Sequence, residues 1–166
     1  MMTTNPEHSP LSEATSQARP MHQGEKKAVD EFDPDEVLYR RYSLTHVVDG
    51  QITPQFIRFP KPSFNRSQFS KPEDVLHVDC CGGKTQPAGL GVLESKVSDL
   101  GISEMSGDRR MFTLYAKHEP IETCYAHSEL WCSCHPSLDA KPTESVKEAF
   151  RIKLARVMRV RIPATV

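Results

Sequence analysis

Apolar and polar positions alternate with a period of two along several stretches of this chain, the pattern of strands with one face turned to a core. In VLYRRYSLTHVV, residues 37–48, Val37, Tyr39 and Arg41 alternate with Leu38, Arg40 and Tyr42. In DVLHVDCC, residues 74–81, Val75, His77, Asp79 and Cys81 take one side and Leu76, Val78 and Cys80 the other. MFTLYAKH, residues 111–118, and CYAHSELWCSCHP, residues 124–136, repeat the period. Asp49-Gly50 is a turn signal, and QFIRF, residues 55–59, predicts a short strand ended by Pro60 and Pro62, since proline cannot donate to a central ladder. Residues 60–73 read as a long surface loop whose Phe64 and Phe69 tuck into the core.

Two stretches carry a helical period instead. Leu93, Val97 and Leu100 fall at i, i+4 and i+7, with Gly101 where a left-handed cap is expected. Ser145 and Glu148 have capping-box spacing at the start of a helix running to about Ala155, with Val146, Ala149, Phe150 and Leu154 toward the core. Beyond it Met158, Val160 and Ile162 alternate with Arg159 and Arg161, a closing edge strand. Mostly strands with two helices predict an α+β fold: a small mixed or antiparallel sheet with about two helices packed on one face.

Composition divides the chain. Residues 1–31 are rich in Pro, Ser, Thr, Gln, His and Glu without apolar periodicity and read as a disordered acidic tail, leaving residues 32–166 as a single domain. Residues 1–36 carry eight acids against three bases, a charge of −5, and residues 141–166 seven bases against two acids, +5. That asymmetry is read first as solvated surface, with nucleic-acid binding through the basic C-terminal helix as a further possibility. No basic segment followed by an apolar run opens the chain, and no apolar run is long enough to span a bilayer. A soluble, cytoplasmic protein is expected, with no membrane association and with its five cysteines reduced, their odd number arguing against a closed disulfide framework.

Candidate chemistry concentrates in residues 124–136. Extended geometry puts Cys124, Cys132 and Cys134 on a small apolar face with Ala126, Ser128 and Leu130, where free cysteine behaves as a small hydrophobe. The opposite face presents Tyr125, His127, Glu129 and Trp131, a row in which His127 and Glu129 could touch. That row, joined by Arg40 from the first strand, is the expected binding surface. No cofactor is expected. The alternative cofactor is zinc held by Cys124, His127, Cys132 and Cys134, although four-ligand structural sites usually come as two pairs separated by a longer stretch of chain. A third reading uses Asp79, Glu94 and Lys96: an acid followed by Glu-x-Lys resembles the metal site of restriction-endonuclease-like nucleases over about twenty residues. It requires residues 92–97 to be a strand, against the helical stripe. Gly82-Gly83-Lys84-Thr85 lacks the preceding glycine of a phosphate loop and reads as a turn.

Leu38-Tyr39-Arg40-Arg41, the Gly50 to Phe56 turn region, Leu76-His77-Val78 and Ala126-His127-Ser128-Glu129-Leu130-Trp131 occur in an order that resembles a class of short, uncharacterised bacterial proteins. Those proteins open with a Tyr-Arg strand and carry an Ala-His dipeptide before a basic C-terminal helix. The resemblance spans residues 37–156, implies no activity, and points to Arg40 and His127 as positions to test. The expected function is a small binding or interaction module with a protein partner, a bacterial accessory protein; the alternatives are the metal-dependent nuclease or toxin-like enzyme and the zinc-stabilised adaptor.

Overall fold

The computed structural model describes residues 19–21, 31–77 and 88–166. In chain order the strands are β1 (Val37–Ser43), β2 (Val47–Val48), β3 (Gln51–Ile52), β4 (Ser63–Arg66), β5 (Leu90–Lys96), β6 (Ser103–Met105), β7 (Met111–His118), β8 (His127–His135) and β9 (Arg159–Ile162). The helices are α1 (Val97–Leu100) and α2 (Glu144–Val157). Seven strands form one sheet in the order β6-β7-β8-β4-β1-β5-β9, every pairing antiparallel, and β2 and β3 form a separate hairpin. The class is α+β as expected; the sheet is larger than the small one anticipated.

Alternation explains which face is buried. Leu38 and Tyr42 of β1, Phe64 of β4, Leu93 of β5, Phe112 and Leu114 of β7, and Leu130 and Cys134 of β8 join one core cluster. Val146, Phe150 and Leu154 of α2 complete it, one helical stripe laid across the sheet. Each fully buried Leu or Phe of this set contributes about 1.5–3 kcal/mol relative to exposure. The α2 N-cap is Thr143, whose hydroxyl accepts from the Val146 amide at 3.3 Å, two residues before the expected Ser145 box. The expected closing strand is β9, at the sheet edge against β5. Gly91 allows that approach: a Cβ there would lie 2.5 Å from the Ile162 carbonyl and 2.5 Å from the Tyr42 ring.

Several expected elements differ. Residues 37–48 are not one strand; β1 ends at Ser43 and a 3-10 turn, Leu44–His46, precedes β2. Asp49 and Gly50 make the anticipated turn with φ of 50° and 74°. The strand at 55–59 is replaced by a 3-10 turn, Pro54–Phe56, because Pro54 sits in its first turn with φ already suited to it. The long loop at 60–73 contains β4, with Phe64 buried as expected. The strand at 74–81 begins instead inside a 3-10 turn, Pro72–Leu76, and its residues 78–81 lie outside the described ones. The helical stripe from Leu93 to Leu100 is mostly β5; only Val97–Leu100 is helical. Within the span expected to be tail, Arg19–Met21 pack on the 122–125 turn: the Met21 amide donates to the Glu122 carbonyl at 3.1 Å and the Tyr125 amide to the Arg19 carbonyl at 2.8 Å.

One charged pair is buried in this frame. Arg66, the last residue of β4, is 1% exposed, and its Nε and Nη2 each donate to one Glu36 carboxylate oxygen at 2.8 Å. Nη2 also donates to the Glu31 carbonyl at 3.0 Å, and the guanidinium lies 3.9 Å from the centroid of Phe32. Removing one member of such a pair strands the other charge away from water, a loss of about 3–5 kcal/mol. Glu36→Ala is therefore expected to lower unfolding stability in urea by about that amount; a change within about 0.5 kcal/mol, the scatter of ordinary surface substitutions, would show the pair to be incidental.

Candidate functional site

Among the described residues, the face of the sheet away from α2 is only partly covered. The Pro72–Leu76 turn packs Val75 and Leu76 onto Val92 of β5, and the turn at 121–124 stands above the start of β8. Between them a cavity of about 340 Å³ opens over β1, β4 and β8. Register fixes its floor. Tyr39 pairs with Asn65, and Asn65 with His127, so phenol, carboxamide and imidazole stand in one row across three strands, with neighbours about 4.7–4.9 Å apart in the backbone. Arg41 projects from the same face of β1 two residues on, and His77, Thr123 and Cys124 line the walls.

The hydrogen bonding of this row is incomplete in a specific way. Asn65 is 7% exposed and its Nδ2 has no partner among the described residues. Its Oδ1 lies 3.7 Å from the Cys124 sulfur. Cys124 is disulfide-bonded, so that sulfur carries no proton and the approach is a contact, not a hydrogen bond. His127 is clamped to the end of β7. Its Nδ1 lies 2.6 Å from the Glu119 carbonyl, and the Glu119 amide donates to the His127 carbonyl at 3.1 Å. A carbonyl only accepts, so Nδ1 carries the proton and Nε2 is the nitrogen left for another group. Arg41 is exposed, its Nη1 only 3.5 Å from the His77 carbonyl. Burial first, then the nearby Glu94 charge, pushes the Tyr39 phenol above its ordinary pKa, which keeps it neutral and able to donate. The described lining holds two arginines and two histidines and no carboxylate.

Of the expected binding surface, His127 and Arg40 line the cleft, and Tyr125, Glu129 and Trp131 do not. β8 begins at His127, so Tyr125 belongs to the preceding turn, buried against Phe69 and His118 with the Arg19 guanidinium 4.2 Å from its ring centroid. Glu129 and Trp131 share the face of His127 further along β8. The imidazole and the Glu129 carboxylate have other partners: Glu129 accepts from Trp131 Nε1 at 3.0 Å. The Trp131 ring holds the Lys61 and Lys117 ammonium groups at 4.1 and 3.9 Å from its centroid. Arg40 follows the parity of Leu38 and Tyr42, so its side chain turns to the α2 side. There its guanidinium stacks on Phe56 and Phe64, and Nη1 donates to the Ser63 carbonyl at 2.7 Å. Burial lowers its pKa to about 10, and its Nε has no partner among the described residues.

The remaining candidates are dispersed. Cys132 and Cys134 are free thiols on the core face, whereas Cys124 and His127 meet at the cleft on the other, so the four zinc candidates do not converge. Among the described residues no three His, Cys, Asp or Glu side chains form a metal-holding group. Glu94 and Lys96 do share a strand face, as the nuclease reading requires, but Lys96 pairs with Asp35 at 3.2 Å and Glu94 lies 3.9 Å from Arg161; Asp79 lies outside the described residues. On the basic helix Lys147 pairs with Glu144, Arg151 with Glu148 and Lys153 with Glu104, which leaves little unneutralised charge on its face. Sequence reasoning missed Asn65, Tyr39 and Arg41. The alternation of β1 already placed the last two on one face, whereas an unpaired amide has no sequence signal.

No protein-family model matches the chain, and no curated protein or solved structure matches it. What the fold and cleft define is an α+β domain with a helix on one face of an antiparallel sheet and a polar cavity on the other.

The disulfide corrects the expectation of five reduced cysteines. Alkylation of the native-source protein after unfolding without reductant is expected to modify Cys132 and Cys134 and spare Cys124, read by peptide mass spectrometry. Full labelling of Cys124 would contradict the bridge.

Proposed function

We propose that this chain is a binding module whose site is the cleft over Tyr39, Asn65 and His127. The observation that carries the reading is Asn65. A buried donor with no partner destabilises a fold by about 1–3 kcal/mol, and that burden is relieved when a bound group accepts from it. Supporting it are the unengaged Nε2 of His127 and the exposed Arg41, which border the same space. A volume of about 340 Å³ stands at the small end of ligand sites and suits a small molecule or one inserted polar group. No described helix is long and apolar enough to cross a membrane.

The test is a ¹H–¹⁵N titration of the full chain with mixtures of small polar fragments, charged and neutral. Perturbed amides are expected to cluster at Tyr39, Asn65, Thr123 and His127. Ser63→Trp, at an exposed position on the cleft wall, is expected to weaken binding about tenfold, 1.4 kcal/mol. Perturbations confined to the Trp131–Lys61–Lys117 face, or none at all, would refute the reading.

A further inference from the structure

We propose that the ligand presents an oxyanion, the carboxylate or phosphate of a small molecule, to Arg41, Asn65 and His127. This rests on the cleft being the binding site and adds the chemistry of what it takes. The three groups come from three adjacent strands of a rigid sheet, so their spacing is set before any ligand arrives. Arg41 supplies a permanent charge and a planar fork of donors that matches a carboxylate or phosphate edge. Asn65 Nδ2 supplies a buried donor with no competing acceptor among the described residues. With Nδ1 already donating to the Glu119 carbonyl, Nε2 is the ring nitrogen left for the ligand, as the acceptor for a hydroxyl proton that the acid group brings.

The surrounding electrostatics point the same way. Three nearby acids are engaged elsewhere, Glu129 by Trp131 Nε1, the Glu119 carboxylate by Lys117 at 3.3 Å, and Glu94 by Arg161, whereas Glu73 stands near Tyr39 and sets a negative charge against that side of the cleft. Arg40, which also lines the cleft, is a half-buried cation with only carbonyl and ring contacts, and its field adds to the positive potential at the cleft floor. A metal cation would find no carboxylate in the described lining, and a neutral ligand would leave the Arg41 charge unmatched.

The experiment titrates the full chain with inorganic phosphate and, separately, with acetate, each to about 10 mM, where even millimolar affinity saturates, at constant ionic strength held with NaCl. Saturable shifts at Asn65 and His127 are expected with one of the two, phosphate alone identifying a phosphoryl ligand and acetate alone a carboxylate. Arg41→Gln, an exposed position that leaves the core intact, is expected to weaken binding about tenfold or more. Arg41→Lys is expected to recover part of the loss, and Arg156→Gln on α2 to change nothing. If neutral fragments bind the cleft but neither anion does, the oxyanion assignment falls while the binding module stands. Anion shifts spread over Lys61, Lys153 and Arg156, or unaltered by Arg41→Gln, would likewise overturn it.

Discussion

The bidentate pair between Arg66 and Glu36 ties the shortest strand bridging the main sheet to the chain segment that leads into β1. β4 is four residues long, and among the described strands it alone joins the β6-β7-β8 side of the sheet to the β1-β5-β9 side. A strand so short forms few ladder bonds, so its place depends on what grips its end. Arg66 grips at several points: the Glu36 carboxylate, the Glu31 carbonyl, Gln68, and the rings of Phe32 and Phe69. Its backbone adds to this: the Arg66 amide donates to the Ala126 carbonyl at 2.9 Å, and the Ser67 amide to Val37 at 2.9 Å. A fully desolvated charge pair of this kind gains little net stability over a hydrophobic substitute, but it tolerates very few geometries. It thereby specifies where β4 lies.

Everything proposed for function follows from that placement. Asn65 precedes Arg66 by one residue, so the side chain that points opposite to the guanidinium is the carboxamide on the cleft floor. β1 and β8 bring Tyr39 and His127 to either side only because β4 spaces them by one strand on each flank. The two faces of β4 thus divide the labour. Arg66 and Phe64 face the helix and the core; Asn65 faces the cavity.

The parts of the fold legible in the sequence are those with a single buried face. β7, β8 and α2 alternate or stripe cleanly because solvent meets their other side. β5 misled because Gly91, Val92, Leu93 and Ser95 are all buried, with α2 on one side and the Pro72–Leu76 turn on the other. A strand covered on both faces loses its period, and the surviving apolar spacing imitated a helix. β4 was hidden because its key buried side chain is an arginine, the reverse of the hydrophobic signal. Residues 124–126 misled in another way: the alternation of β8 extends into them, but the Ile121–Cys124 bridge bends the chain there and carries Cys124 to the cleft. Of the site, His127 was visible as a chemical type, while Asn65 matters through a bond it does not make.

Amide hydrogen exchange on Glu36→Gln, which keeps the shape but removes the charge, tests the dependence of the cleft on this pair most directly. The expected result is faster exchange at the Arg66 and Ser67 amides, spreading to the row at Asn65 and His127, with the β7–β8 ladder beyond Leu130 unchanged. Protection at β4 equal to that of the unaltered protein would contradict the account.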